Sequence, residues 1–274
     1  MKLPYANWLV KIVAVVALAA TFSLAVAAPD SKVQEFWMTH DEASTIKVSH
    51  QAWQEILDKY LDAEHPSGIN RFDYAAVKKS DRRLLKDYLD ALQAIDLHSL
   101  SRAEQLAYWI NFYNALTVHV VLQEYPVDSI RSIRFITSLF GPWDKNLVKV
   151  KNQNLSLNDI EHEILRPIWQ DPRIHFAVNC ASIGCPNLID KAFSAANSDE
   201  LMEAAASDFI NHRRGIEING ERATLSSIFD WYSEDFGDNE SEVMDYIHRY
   251  RHASDEIHTI TSFEYQYDWA LNRP

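Results

Sequence analysis

Apolar residues recur every three to four positions in several stretches of the chain, the spacing typical of helices that bury one face. This pattern predicts helices over residues 51–61, 80–94, 103–122, 156–166, 199–212 and 242–250. In the third of these, apolar residues cover nearly the whole circumference, which is typical of a helix buried on all sides. We therefore expect the helix over residues 103–122 to lie at the centre of the fold.

Short apolar or alternating runs separated by turn residues predict strands. Hairpins are expected around Lys151–Asn154 and at Asn219-Gly220, a pair that suits a tight type I′ turn. Single strands are expected over residues 174–180 and 257–263. Helices come first and short strands are then mixed with helices, which predicts one α+β domain over residues 49–274, with a helical layer on a small, mainly antiparallel sheet. Residues 28–48 form an irregular leader before it.

The chain begins like an exported protein. Lys2 and Lys11 flank an apolar run over residues 12–26, which ends in Ala25-Val26-Ala27. A basic start, an apolar core of this length and small residues at a cleavage site are typical of a secretory signal peptide, here residues 1–27. The run is short for a membrane span, so an uncleaved anchor is the weaker alternative. We expect a periplasmic or secreted protein with no membrane span in its mature form.

The net charge of the chain makes some classes of binding partner unfavourable. The formal charge is −13, which argues against nucleic acid and anionic membrane surfaces as partners. Eight tryptophans, twelve tyrosines and twelve phenylalanines supply a large core, and two cysteines are too few for a disulfide scaffold. A small-molecule or peptide-like substrate fits this composition, which predicts no particular oligomeric state.

Two polar side chains interrupt the central helix. Asn111 and Asn114 lie three residues apart on one side of it, and a buried amide costs about 1–3 kcal/mol when it is left without a hydrogen-bond partner. Something polar must therefore meet this face. Two interpretations are open: the asparagines hold a loop in place, or they position a catalytic loop or a substrate.

A carboxylate lies within the apolar stripe of the helix predicted over residues 156–166. Glu161 falls among leucines and isoleucines, whereas His162 and Arg166 point away from the stripe as a pair four residues apart. A buried carboxylate usually has a basic partner. Glu161 is expected either to form a structural ion pair with an arginine or to orient His175.

Both cysteines lie in one segment, Arg173–Pro186. Strand alternation would place His175 and Cys180 on opposite faces, so Cys185, in the loop beyond, is the better partner for the histidine. The leading hypothesis is a thiol-dependent enzyme of acyl transfer or hydrolysis, with Cys185 as nucleophile and His175 as its base. Glu161 or Asn111 would orient the base, and the Gly184 N–H with neighbouring amides would bind an oxyanion.

Three alternatives compete at this segment. Cys180 and Cys185 could form a structural disulfide in a non-catalytic binding module. The two thiolates could bind zinc with His175 or His162, although the spacing of four residues between the cysteines is a weak zinc signal. They could also be buried thiols or a redox pair. No other cofactor is expected.

Several motifs occur in an order that resembles a known family. They are Trp109–Thr117, Pro142-Trp143-Asp144, Ser156–His162, Asp171–Ala177, Cys180–Pro186, Phe229-Asp230-Trp231-Tyr232 and Tyr267-Asp268-Trp269. The chain resembles the domain-of-unknown-function 547 family from about residue 50 to its end. The resemblance implies one folded domain and assigns no activity. Positions that match the motifs and are expected to belong to a site, in support of the catalytic residues above, are Asn111, Asn114, His162, Arg173 and Cys180.

Overall fold

The structure, a computed structural model, describes residues 29–134, 141–251, 260 and 262–274. The predicted signal peptide lies outside the described residues, as does most of the strand predicted over residues 257–263. None of the helices in the described part is long and apolar enough to cross a membrane.

Three long helices form the first half, as the apolar periodicity predicts. They are α1 (Gln51–Tyr60), α2 (Lys79–Gln93) and α3 (Arg102–Glu124). The side chain of Ser101 caps α3 by accepting a hydrogen bond from the Glu104 N–H at 3.3 Å. Nearly every residue of α3 from Glu104 to Leu122 is buried, so the prediction of a central helix is confirmed.

Short strands and turns connect these helices to the rest of the fold. Strands β1 (Leu61–Asp62) and β2 (Arg71–Phe72) pair antiparallel, and β3 (Val148–Val150) pairs with β4 (Gln153–Leu155) as the second hairpin. Three-residue or four-residue 3₁₀ turns occur at Glu35–Met38, Leu97–Ser99 and Ile130–Ser132. The hairpin predicted around Lys151–Asn154 is therefore confirmed.

The helix that carries Glu161 has an unusual geometry. Ser156 caps it, since its N–H and hydroxyl both reach the Asp159 carboxylate, at 2.7 and 2.6 Å. Residues Asp159–Leu165 then form a π-helix, which α4 (Arg166–Trp169) continues. A π-helical turn rotates the side chains relative to an α-helix. His162 and Arg166 are both buried and contact each other at 3.1 Å, so the expected pair four residues apart is confirmed.

The strand predicted over residues 174–180 was also wrong. Residues Ile174–Ala177 form a single helical turn, α5, followed by extended chain. The Asp171 side chain accepts a hydrogen bond from the Arg173 N–H at 2.9 Å, and the N–H groups of residues 174–176 bond three residues back. This local turn chemistry outweighs the β-propensity of a short apolar run, which periodicity alone cannot assign.

The second half mixes helices with a three-stranded sheet. The helices are α6 (Ser198–Asn211), α7 (Ile228–Trp231), α8 (Ser233–Phe236) and α9 (Glu240–Tyr250), and the strands are β5 (Ile216–Asn219), β6 (Arg222–Ser226) and β7 (Ser262–Gln266). Strand β6 lies in the middle, antiparallel to β5 and parallel to β7. The hairpin predicted at this position and the α+β class are confirmed. Asn219 pairs with Arg222, so the turn residues are Gly220 and Glu221, and only Gly220 has positive φ (+64°); the expected type I′ turn with Asn219 and Gly220 at its centre was wrong.

Two apolar clusters fill the interior. One surrounds α3, and the other lies between α6, α9 and the three-stranded sheet. The leader contributes Trp37 to the first cluster, where only 4% of its surface is exposed.

The C-terminal segment returns to the cysteine loop. The N–H groups of Ile183 and Gly184 donate to the carbonyls of Ala270 and Asp268, both at 2.8 Å. A Cβ on Gly184 would lie 2.7 Å from the Asp268 nitrogen, so only glycine allows this approach. The segment is thereby docked directly over the two cysteines.

Candidate functional site

Two asparagines of α3 hold the chain on either side of the cysteine loop. The Asn114 amide donates to the Ala177 carbonyl at 2.9 Å and accepts from the Asn179 N–H at 2.7 Å. Asn111 makes the same pair of bonds to the backbone of Phe193, at 2.8 and 2.9 Å. Both side chains are fully satisfied by backbone groups, so the described contacts correspond to the first interpretation, in which the asparagines hold a loop.

The loop itself is bent sharply at Ala181. This residue has φ +61°, a backbone angle that residues other than glycine rarely adopt. Asn179 supports the bend, because its side chain accepts from the Ala181 N–H at 2.8 Å and donates to the Pro186 carbonyl at 2.7 Å. Strained backbone of this kind clusters at functional sites.

The sulfur of Cys180 is surrounded by hydrogen-bonding groups. The hydroxyls of Ser182 and Tyr267 lie 3.2 and 3.0 Å from it, within hydrogen-bond distance, and the Cys185 side chain is a third neighbour that acts on its pKa. The bond from Cys185 lowers the pKa of Cys180 most; burial opposes this, and the two hydroxyls lower the pKa further. The net effect is a pKa of the Cys180 thiol below its usual value, and the residue remains partly exposed.

Cys185 has the opposite environment. Its side chain is buried, with 4% of the residue exposed. Its sulfur accepts a hydrogen bond from the Cys180 N–H at 3.1 Å and lies 3.8 Å from the Val178 carbonyl oxygen. Burial and the bond to the Cys180 sulfur raise its pKa well above the usual range. The role of Cys185 as nucleophile stays a prediction, and these surroundings count against it.

Two alternatives from the sequence do not fit the described residues. Both cysteines are free thiols, so the Cys180–Cys185 disulfide is not formed. No group of three or more histidine, cysteine, aspartate or glutamate side chains within residues 29–134, 141–251, 260 and 262–274 could hold a metal ion such as zinc. The expected oxyanion donor is also engaged, because the Gly184 N–H bonds to the Asp268 carbonyl.

His175 lies in a buried charged cluster. Its Nε2 is 2.5 Å from an Asp235 carboxylate oxygen, and its Nδ1 is 3.8 Å from Glu161. The ring stacks on Tyr232 with centroids 4.0 Å apart. Arg166 completes the cluster, bonding Asp235 at 2.6 Å and His162 at 3.1 Å.

Neighbouring groups favour the ionised form of both carboxylates in this cluster. Burial disfavours the ionised form of Asp235, but the hydrogen bonds from His175 and Arg166 outweigh it and lower the pKa of Asp235 to about 2. Burial likewise opposes ionisation of Glu161, and the charges of His162 and His175 with the Tyr113 hydroxyl overcome it, which lowers its pKa. The cluster therefore keeps two carboxylates ionised in the interior.

Acid should weaken the fold through Asp235. Its folded-state pKa lies below the ordinary value of 3.8, so its contribution is fully present above pH ~5 and is lost as the pH falls towards 2. We expect the free energy of unfolding to fall over that range by about 2 kcal/mol more than in Asp235→Asn. Urea unfolding at several pH values measures this; parallel curves for the two proteins would contradict it.

Arg173 lies apart from both groups. It bonds Asp171, Asp199 and Glu203, and together with Glu203 it lines a surface cavity of about 550 Å³ between α4, α6 and α9. A second cavity, of about 340 Å³, is lined by residues from Leu57–Glu64 and by Asp190. Neither cavity reaches the cysteines.

The structure thus forms two neighbouring centres from the predicted residues. Asn114 and both cysteines meet at the loop, whereas Glu161, His162 and His175 meet in the charged cluster, and no contact between His175 and either sulfur is among the described contacts. The negative charge of Glu161 raises the pKa of Cys180, so the two centres interact electrostatically. Sequence reasoning missed Tyr113, Ser182, Asp235 and Tyr267.

A comparison with protein families covers the part of the chain that holds both asparagines and both cysteines. No curated protein and no solved structure matches the chain significantly. Residues 97–210 match the model of a family described as "Protein of unknown function, DUF547". Asp235 and Tyr267 lie beyond the matched segment. The match over residues 97–210 supports the resemblance of this chain to the domain-of-unknown-function 547 family.

Proposed function

We propose that this protein is a thiol-dependent enzyme of acyl transfer or hydrolysis in which Cys180 is the nucleophile. The observation that carries this proposal is a partly exposed cysteine, Cys180, whose sulfur has three hydrogen-bonding side chains around it. Such donors stabilise a thiolate, the form of cysteine that attacks carbon. A thiolate present before the substrate binds needs no general base, so His175 is not required as a proton acceptor.

The reaction would proceed in two balanced steps. The Cys180 sulfur attacks the acyl carbon of an ester, thioester or amide, an S–C bond forms, and the bond to the leaving group breaks. The leaving group departs as an anion or takes a proton from water. Water or another nucleophile then attacks the thioester and gives up a proton, and the Cys180 thiolate is regenerated.

Side-chain hydroxyls would stabilise the intermediate. As the sulfur attacks, its negative charge moves to the substrate oxygen, so groups that held the thiolate become free to donate to that oxygen. Ser182 and Tyr267 carry these groups, and their hydroxyl oxygens lie 2.8 Å apart. Their two hydroxyls replace the Gly184 N–H in the role expected from the sequence.

An activated ester tests this proposal. We expect p-nitrophenyl acetate to acetylate Cys180, with release of one equivalent of p-nitrophenolate in a burst and an acetyl group located on Cys180 by mass spectrometry. Cys180→Ser should abolish the burst, and Cys185→Ser should retain it. An acetyl group on neither cysteine, or an unchanged burst in Cys180→Ser, would instead favour the non-catalytic binding module.

Tyr267→Phe should lower the alkylation rate of Cys180 and leave the packing around the thiol unchanged. The substitution removes one donor to the thiolate but keeps the ring that packs on Trp231 and Trp269. We expect the pKa of Cys180 to rise by about one unit and the iodoacetamide rate at pH 7 to fall by up to about tenfold. Tyr265→Phe, two residues earlier, is the matched control. Equal rates for both variants would contradict this role.

The place of action is a further part of the proposal. The basic start, apolar run and Ala25-Val26-Ala27 support export to the periplasm or the medium. N-terminal sequencing of protein purified from the producing cell should begin near Ala28. An intact N-terminus starting at Met1 would exclude cleavage.

A further inference from the structure

Two arginines meet beside the cysteine loop. The Asn187 side-chain oxygen accepts from Arg214 at 2.7 Å and from the Asn70 N–H at 2.9 Å, so the Arg214 guanidinium lies next to the residue that precedes Arg71. His212 also joins the two segments, with its ring 2.9 Å from the Ser67 carbonyl oxygen. Burial lowers the pKa of Arg214 to about 10, and the charge of Arg71 lowers it too.

Neither guanidinium has a carboxylate partner within the described ranges of the chain. The Nε atoms of Arg71 and Arg214 are buried and have no hydrogen-bond partner there. Asp62 is directly opposite Arg71 in the β1–β2 pair, but its carboxylate accepts from the Glu64 N–H at 3.1 Å. Asp208 acts on Arg214 only at a distance, through its charge. Both arginines are partly exposed, and a partly buried cation without a counter-ion is unexpected in a chain of charge −13.

The pair lies close to the proposed nucleophile. Arg214 donates to the Ile183 carbonyl at 3.2 Å, within the loop that joins the two cysteines. Its positive charge also interacts with Cys185 and Tyr267, both of which contact the Cys180 sulfur. An anion held at the arginines would therefore lie beside the thiol loop.

We propose that Arg71 and Arg214 form an anion subsite that holds a carboxylate or phosphate group of the substrate. Guanidinium groups are the side chains best suited to such oxyanions, and the Nε groups of both arginines have no partner among the described residues. The binding of an anion follows from the arginine pair alone. Its identification with part of the substrate rests on the proposed function of Cys180.

Titration with inorganic phosphate and with malonate tests the subsite. Isothermal titration calorimetry at low ionic strength, with sodium chloride as the reference salt, should give millimolar affinity for the wild-type protein. Arg71→Gln and Arg214→Gln should each weaken binding at least tenfold. Arg83→Gln, on the exposed face of α2, matches the charge change and should bind like the wild type.

Two controls separate folding from binding and binding from chemistry. The Nε of Arg71 has no hydrogen-bond partner among the described residues, so Arg71→Gln removes no bond there and should keep its fold. It therefore still tests the subsite if circular dichroism shows that Arg214→Gln is unfolded. Cys180→Ser should bind phosphate normally, so a failure of the proposed function leaves this result unchanged. No binding of either anion at 50 mM, a concentration of the order of ten times the expected constant, or equal binding by Arg71→Gln, would overturn the subsite.

Discussion

Arg166→Leu is expected to destabilise the fold by about 3–5 kcal/mol, because it leaves buried carboxylates without their cation. Only 2% of the Arg166 side chain is exposed, and it bonds Asp235 and Glu234 at 2.6 Å each. Glu161 also loses a positive charge that favours its ionised form. Urea unfolding at pH 7 measures the change in the free energy of unfolding.

Arg173→Leu is the matched control. Arg173 also contacts three carboxylates, but 21% of its side chain is exposed and two of its partners, Asp199 and Glu203, are more than half exposed. Exposed ion pairs contribute about 0–1 kcal/mol each, so we expect a smaller loss there. If both variants lose the same free energy, the charged cluster is not the buried support that its geometry indicates.

Asn114→Leu should have the second largest effect. The leucine fills a similar volume but leaves the Ala177 carbonyl and the Asn179 N–H buried without partners. An unpaired buried polar group costs about 1–3 kcal/mol, so a loss of roughly 2–4 kcal/mol is expected. Because the cysteine loop begins at Asn179, Cys180 should also lose its enhanced reactivity in this variant.

An exposed asparagine provides the comparison for that result. Asn154, in β4, is exposed and pairs through its backbone in the hairpin. Asn154→Leu should change the free energy of unfolding by less than about 0.5 kcal/mol and leave the thiol reactivity intact. A loss of below about 1 kcal/mol in Asn114→Leu would show that Asn114 does not hold the loop.

The long helices and both tight hairpins could be predicted because their signals are local. A periodic stretch such as α3 needs only its own residues to reveal which faces are buried. The segment over residues 174–180 could not be predicted in this way, since an apolar run of seven residues fits either a strand or a helical turn. Its conformation depends on the Asp171 side chain, whose capping bond the periodicity does not include.

The site residues also divide into those with a local sequence signal and those that only the fold brings to the site. Glu161 and the asparagines were found because a polar group in an apolar stripe is visible in the sequence, and the structure confirms that they are buried. Asp235 and Tyr267 contact the site from 60 and 87 residues away, so only the folded chain brings them together. One signal for Tyr267 was present: the motif Tyr267-Asp268-Trp269 belongs to the resemblance to the family, but its role could not be read from it.

The choice between the two cysteines shows how one local error propagates. Strand alternation separated His175 from Cys180 and directed attention to Cys185. In the helical turn that actually forms, that alternation does not exist, and burial distinguishes the two thiols instead. Cys180 is partly exposed with donors around its sulfur, while Cys185 is enclosed.

The pH dependence of alkylation tests most directly whether Cys180 is a stabilised thiolate. The rate of iodoacetamide labelling at each cysteine is followed by mass spectrometry from pH 5 to pH 10, in the wild type and in Cys185→Ala. We predict that Cys180 is labelled first, with an apparent pKa below ~8.5, and that Cys185→Ala raises this pKa because a donor to the sulfur is lost. Faster labelling of Cys185, or a Cys180 pKa at or above ~8.5, would contradict the account.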